Sequence, residues 1–280
     1  MDIMNVVYAV ASIGGLGVIF GAGLGYASKM FAIEEDPRIS LVQAALPGAN
    51  CGGCGFPGCS GCATAIVNGT AKVNACPVGG TKVADKIAEI MGVTAEETTP
   101  KAAFVKCKGT CSASKNKYDY FGLDDCVMAS HLAGGGAKSC SYGCLGLGSC
   151  VKACPFNAIS IVDGIAVVDQ ETCVACGNCV SACPKHLIEL LPINKKVKVQ
   201  CNSKDTGKVV VSNCSNGCIA CKICEKSCNF DAIKVIDNLA VIDYDKCKNC
   251  GVCANKCPKH VITGAKPAPV ETVATAAASE

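Results

Sequence analysis

Tryptophan is absent from this 280-residue chain, aromatic side chains make up only 5% of it, and there are three histidines. So few large rings exclude the broad apolar core that an ordinary domain of this length builds. His131, His186 and His260 could be ligands, but Pro184-Lys185-His186 and Pro258-Lys259-His260 read as duplicated turn residues. Basic runs with interleaved aromatics are also missing, which sets nucleic acid aside as a partner. The glycine-rich stretch from Gly14 to Gly25 lacks the G-x-G-x-x-G spacing and the acidic residue of a dinucleotide loop. Charge is missing too, from one place in particular. Ile3 to Ser28 carries no charged side chain, and that is long enough to cross a bilayer as one helix. A cleaved signal would begin with a basic flank, whereas this chain begins Met1-Asp2-Ile3-Met4, so the expectation is a retained anchor. Gly17, Gly21 and Gly25 recur four apart, on one face where another helix could approach closely.

What the chain has in excess is cysteine, 26 in all. Twelve of them fall in a repeating C-x2-C-x2-C-x3-C run. The run occurs as Cys173, Cys176, Cys179, Cys183 and again as Cys247, Cys250, Cys253, Cys257, each followed by proline. A third copy is Cys218, Cys221, Cys224, Cys228. Disulfides would suit a small secreted scaffold, and zinc sites would pair two C-x2-C units across longer loops. Neither accounts for four cysteines within eleven residues, three times over. The spacing is the ligand run of two-cluster ferredoxins, whose fourth cysteine serves the partner cluster. Iron–sulfur clusters therefore follow, together with a reducing compartment and a fold that depends on its metal. The formal charge of +3 becomes roughly −7 to −9 once five or six clusters of about −2 each are counted. The lysines beside the motifs (Lys152, Lys185, Lys222, Lys226, Lys248, Lys256, Lys259) offset part of it.

The chain also overlays itself after a shift of 74 residues. Cys144, Cys150, Cys154, Cys173, Cys176, Cys179 and Cys183 fall on Cys218, Cys224, Cys228, Cys247, Cys250, Cys253 and Cys257, and Cys140 falls on Cys214. Gly164 to Val168 and Asn238 to Ile242 read as matching hairpin strands. Each half is thus expected to be a βαβ-type, two-cluster ferredoxin-like module. One position breaks the symmetry, because Cys221 falls on Leu147. Cys140 is the expected substitute, with Cys144, Cys150 and Cys183; a three-cysteine [3Fe–4S] centre is the alternative. Its partner cluster takes Cys154, Cys173, Cys176 and Cys179. The second module is expected to use Cys218, Cys221, Cys224 and Cys257, then Cys228, Cys247, Cys250 and Cys253.

Ahead of the modules stands Cys51-Gly-Gly-Cys54-Gly-Phe-Pro-Gly-Cys59 with Cys76-Pro77 beyond it, a further set of four thiolates; Cys62 reads as a small buried residue. Five cysteines are then left over: Cys107, Cys111, Cys126, Cys201 and Cys214. Val105-Lys106-Cys107 resembles Val199-Gln200-Cys201, so the connector is duplicated as well, with a 20-residue insertion in its first copy. Cys107, Cys111, Cys126 and one of Cys140, Cys201 or Cys214 are the expected ligands of a sixth cluster. At least five [4Fe–4S] clusters, and a sixth, are expected in all.

The order of these motifs resembles that of the B subunits of Rnf electron-transport complexes, in the longer form with two ferredoxin modules; the likeness runs from Met1 to about Gly264. The resemblance implies a membrane-anchored electron-transfer subunit of a ferredoxin:NAD oxidoreductase. It would take electrons from soluble ferredoxin and hand them to the other Rnf subunits, with export of Na⁺ or H⁺. The cluster domains would face the cytoplasm from a single pass in the cytoplasmic membrane. NAD, flavin and ion chemistry would lie in other subunits, since no substrate-converting site is legible here. The rivals are a polyferredoxin subunit of another membrane complex, such as a hydrogenase, and a membrane-anchored zinc-binding interaction module.

The expected fold class is α+β: an N-terminal transmembrane helix followed by small iron–sulfur domains. The divisions are an anchor over 1–28, a four-cysteine cluster domain over 29–98 and a cysteine-containing connector over 99–139. A first module over 140–192, a connector over 193–215 and a second module over 216–264 follow. A disordered Pro/Ala/Thr/Val-rich tail over 265–280 completes the chain.

Overall fold

The computed structural model describes residues 3–31, 36–96 and 99–264; the expected tail over 265–280 lies outside them. Helix α1, Ile3–Met30, is 28 residues long. Its segment Val10–Met30 is apolar enough to span a membrane, with a mean hydropathy of 1.6. Ile13, Leu16, Val18, Phe20 and Leu24 all point outward from it. An α-helix of this length reaches about 42 Å, more than the ~30 Å hydrocarbon layer. The face bearing Gly17, Gly21 and Gly25 is open.

Three helices form the next unit: α2 (Pro37–Ala45), α3 (Gly58–Val67) and α4 (Gly80–Met91). Asp36 caps α2 by accepting from the Arg38 amide at 2.9 Å, with Pro37 in the first turn, where its missing N–H costs nothing. Helix α4 ends at Gly92 in the left-handed conformation. Val42, Cys62, Ala63, Ile66 and Ile87 are the sealed centre of this small core.

Strand β1 (Lys101–Val105) opens the first repeat, which continues through α5 (Cys126–Ser130), α6 (Ser149–Lys152), β2 (Ile159–Val162), β3 (Ile165–Val168), α7 (Asn178–Ala182) and β4 (Ile188–Pro192). The second repeat holds α8 (Gly207–Asn213), α9 (Ile223–Lys226), β5 (Ile233–Ile236), β6 (Leu239–Ile242) and α10 (Val252–Asn255). Among the described strands every pairing is antiparallel, so the modules are hairpins flanked by one-turn helices rather than βαβ crossovers. The turns explain this. Asp163-Gly164 and Asp237-Asn238 both place two successive residues at positive φ, as a two-residue hairpin turn requires. They bring Ile159 opposite Val168 and Ile233 opposite Ile242.

The duplication extends outside the two modules. Strand β1, which the sequence places in the connector, pairs with β4 in a ladder ending at Val105 opposite Ile188. The second repeat keeps one bridge of the same ladder, Val199 opposite Ile262. The next hydrogen bond matches too: Lys106 N to Leu187 O and Gln200 N to Val261 O, both 2.7 Å. Each repeat has its own core, around Leu187 and Ile188 in one and around Val197, Ile233 and Val261 in the other. A fully buried aliphatic side chain stabilises by about 1.5–3 kcal/mol. Much of both cores, however, is cysteine, so these units rest on what the thiols bind.

Candidate metal centres

The cysteine runs curl because left-handed residues alternate with the thiols. Ala175 and Gly177 stand between Cys173, Cys176 and Cys179; Asn249 and Gly251 stand between Cys247, Cys250 and Cys253; Ala220 and Lys222 flank Cys221. Each reversal turns the next side chain back toward a common centre. His186 and His260 also have positive φ. Their amides close turns onto the carbonyls of Cys183 and Cys257 at 3.1 Å, so they act as paired turn residues.

The thiols surround voids. Cys154, Cys173, Cys176 and Cys179 line one. Cys218, Cys221, Cys224 and Cys257 line another. Cys253 lies near Cys247, Cys250 and Cys228, and Cys76 near Cys54 and Cys59. Among the described residues, no three such side chains converge on one point as a single metal ion needs; a zinc ion would hold each sulfur about 2.3 Å away. Four thiols spread around a void suit a polynuclear cluster instead.

Burial pushes the Cys179, Cys201, Cys224 and Cys253 thiols up to about 11 and the Cys150 thiol up to about 12. Metal-free, they hold their protons at neutral pH, and metal binding must release them. Backbone amides already aim at several sulfurs. Ala103 N points to Cys173 Sγ, Leu187 N to Cys183 Sγ and Ala232 N to Cys228 Sγ, each at 3.4 Å. Such contacts favour the thiolate and tune a bound cluster.

Two groupings differ from the sequence expectation. The void that holds Cys144, Cys150 and Cys183 takes Cys126 as its fourth thiol, not Cys140. Cys126 comes from the 20-residue insertion and opens α5, which Asp125 caps by accepting from the Val127 and Met128 amides at 2.8 and 2.9 Å. Ser149 pins that helix to the module. Its hydroxyl accepts from the Cys126 amide at 2.7 Å and donates to Asp125 at 3.3 Å. Lys152 adds a 2.6 Å bond to the Asp124 carbonyl. Folding the insertion back thus fills the gap at Leu147.

Cys140 lies elsewhere, with Cys107, Cys201 and Cys214, around a void between the repeats. Cys111, expected beside Cys107 and Cys126, is exposed and outside all four voids described. Its amide bonds the Asp163 carbonyl at 2.9 Å. The parts played by Ser149 and Asp125 were not foreseen from the sequence. The signal available was Leu147 itself, a missing ligand close in sequence to an insertion that carries a spare one.

The quartets are neighbours in a row. Cys51 faces Cys176, and Gly53 packs against the Cys176 backbone so closely that a Cβ there would stand 2.5 Å from its carbonyl oxygen. Cys179 lies near Cys150 across the first module. Cys144 N donates to Cys107 Sγ, and Cys218 N to Cys201 Sγ, at 3.4 Å each.

Three family models match the chain: an Fe–S cluster domain over 46–78, a 4Fe-4S dicluster domain over 139–187 and a 4Fe-4S binding domain over 240–263. Named relatives are similar over nearly the whole length. The B subunit of the Na(+)-translocating ferredoxin:NAD(+) oxidoreductase complex of Acetobacterium woodii is 50% identical over 91% of this chain and 77% of its own. The B subunit of the ion-translocating oxidoreductase complex of Methanosarcina acetivorans is 47% identical over 91% and 96%. The B subunit of the proton-translocating ferredoxin:NAD(+) oxidoreductase complex of Clostridium ljungdahlii is 43% identical over 88% of each.

Proposed function

Because this chain belongs to the family of B subunits of ion-translocating ferredoxin:NAD oxidoreductase (Rnf) complexes, we propose that it is the conductor by which electrons from soluble ferredoxin reach the membrane subunits. It is an electron-transfer subunit of an oxidoreductase, with iron–sulfur domains and a helix able to anchor it in the membrane. The finer reading concerns which residues hold what. Cys51, Cys54, Cys59 and Cys76 form the set nearest the anchor. Cys154, Cys173, Cys176 and Cys179 are the outer set of the first module, and Cys126, Cys144, Cys150 and Cys183 its inner set. In the second module the sets are Cys218, Cys221, Cys224, Cys257 and Cys228, Cys247, Cys250, Cys253. A [4Fe–4S] cluster bound in such a set supplies a one-electron carrier.

The observation that carries this reading is the row of quartets running from Cys51 through both repeats. The protein sets the order, holds each thiolate and supplies the sulfur-directed amides; it offers no separate substrate chemistry. Cys221 is exposed whereas Cys126 is buried, which makes the second module the side open to a soluble donor. The cluster domains face the cytoplasm, where reducing conditions preserve them.

The test is iron, acid-labile sulfide and zinc per chain on anaerobically purified protein, followed by mixing with reduced ferredoxin. At least about 20 iron with equal sulfide is expected, at four per cubane, with bleaching on mixing. Zinc without sulfide would overturn the electron-transfer reading. Full iron without bleaching would remove ferredoxin as the donor.

A further inference from the structure

We propose that Cys107, Cys140, Cys201 and Cys214 hold a sixth [4Fe–4S] cluster at the junction of the two repeats, each repeat giving two of the four thiolates. The inference rests on the electron-transfer reading and deepens it.

Symmetry is the first argument. Cys107 and Cys201 occupy equivalent positions, one residue beyond the matching Lys106 N and Gln200 N bonds. Cys140 and Cys214 are equivalent under the 74-residue shift. All four line one void. That pairing makes the site a property of the duplication rather than of either module. Cys107, Cys201 and Cys214 also fall outside the three matched family segments.

The lining supplies the second argument. Ser114 is 8% exposed, and its hydroxyl is buried without a hydrogen-bond partner. It lines this void. A buried hydroxyl left unpaired costs about 1–3 kcal/mol, and a cluster sulfur or thiolate in the void would accept from it. Lys138 lines the same void and is 7% exposed. Its ammonium donates to the Gly109 and Gly164 carbonyls at 2.8 and 2.9 Å. Neutral carbonyls leave its charge uncompensated, and a buried cation calls for a nearby anion. Each thiol gives up its proton on binding, and the thiolate-ligated core carries about −2, which meets that need.

Amides complete the site. Gly109 N and Cys144 N both aim at Cys107 Sγ, and Cys218 N aims at Cys201 Sγ, at 3.4 Å. The two amides from Cys144 and Cys218 come from ligands of the inner set of each module. The junction therefore stands between those inner sets, and the row of quartets is continuous across it.

Iron counting on the full-length protein, purified anaerobically in detergent, tests this. The native chain should hold about 24 iron with equal sulfide, at four per cubane. The double variant Cys201→Ser/Cys214→Ser should fall to about 20, and Cys111→Ser should stay at the native count. Ser114→Ala should keep all the iron and move the potential of one cluster while the others hold. A native count of about 20 would overturn the sixth site and leave the other five standing. So would a double variant that loses no iron. The native count does not depend on how any variant folds. Absence of iron and sulfide altogether would instead fail the electron-transfer reading on which the proposal rests.

Discussion

The inner cysteine sets of the two repeats do the same job with different pieces of chain. In the second module the thiols come from one run plus Cys257, and Cys221 is exposed. In the first module Leu147 stands where Cys221 would be, and Cys126 arrives from an insertion, buried in the first turn of a capped helix. The position of a sulfur in space is therefore what the site requires, and sequence spacing is one way to reach it. Delivering the ligand from outside the run also covers the first module's inner set. The second module, without an insertion, keeps an open edge.

The largest effect should come from exchanging the two solutions. Cys126→Ala should cost the first module's inner set at least about one iron per chain and produce a three-iron EPR signal, since one of four thiolates is gone. Adding Leu147→Cys should restore the iron and abolish that signal, making the first module resemble the second. If the added cysteine rescues nothing, Leu147 and Cys221 are not equivalent in space.

A second contrast lies at the outer sets. Cys176 is covered by Gly53, whereas its counterpart Cys250 has no described domain against it. Gly53→Ala places a Cβ where only about 2.5 Å is open to the Cys176 carbonyl. Hydrogen exchange should then quicken over 51–59 and 173–179 and stay unchanged over 247–253. Equal protection in both proteins would break the contrast.

The smallest effect concerns the clasp on Cys126. Ser149→Ala removes a hydrogen bond worth about 1 kcal/mol, a factor of roughly five in an opening equilibrium. Chelator-driven bleaching of the first module's inner set should speed up by about that factor. Ile223, at the matching position of the second repeat, provides no such clasp, and that module should not change. The clasp should also weaken in acid. The Met128 amide, with that of Val127, holds the Asp125 carboxyl below its ordinary value. Its contribution is present above the usual carboxylate range and lost as pH falls through the lowered value.

Much of this organisation was legible in the chain, for physical reasons. Period-two apolar runs closed by Asp-Gly and Asp-Asn could only be short hairpins, and β2–β3 and β5–β6 are those hairpins. An uncharged stretch of membrane length could be recognised from composition. The β1–β4 ladder was not legible, because Lys101–Val105 pairs with residues 83 to 91 positions later and neither strand's pattern names its partner. Thr94-Ala-Glu-Glu97 has the spacing of a capping box, but Glu97 lies outside the described residues, and Thr94 to Glu96 form no helix.

The same division separates the sulfurs. The number of thiols, their ferredoxin spacing, the 74-residue repeat and the odd Leu147 are covalent facts, readable without a fold. Within a run, the short spacing and the left-handed residues leave the chain little choice but to wrap one centre. Cys126 and the quartet of Cys107, Cys140, Cys201 and Cys214 are joined by no local constraint. Only the packing of an insertion onto α6, and of one repeat against the other, decided which void each of them faces.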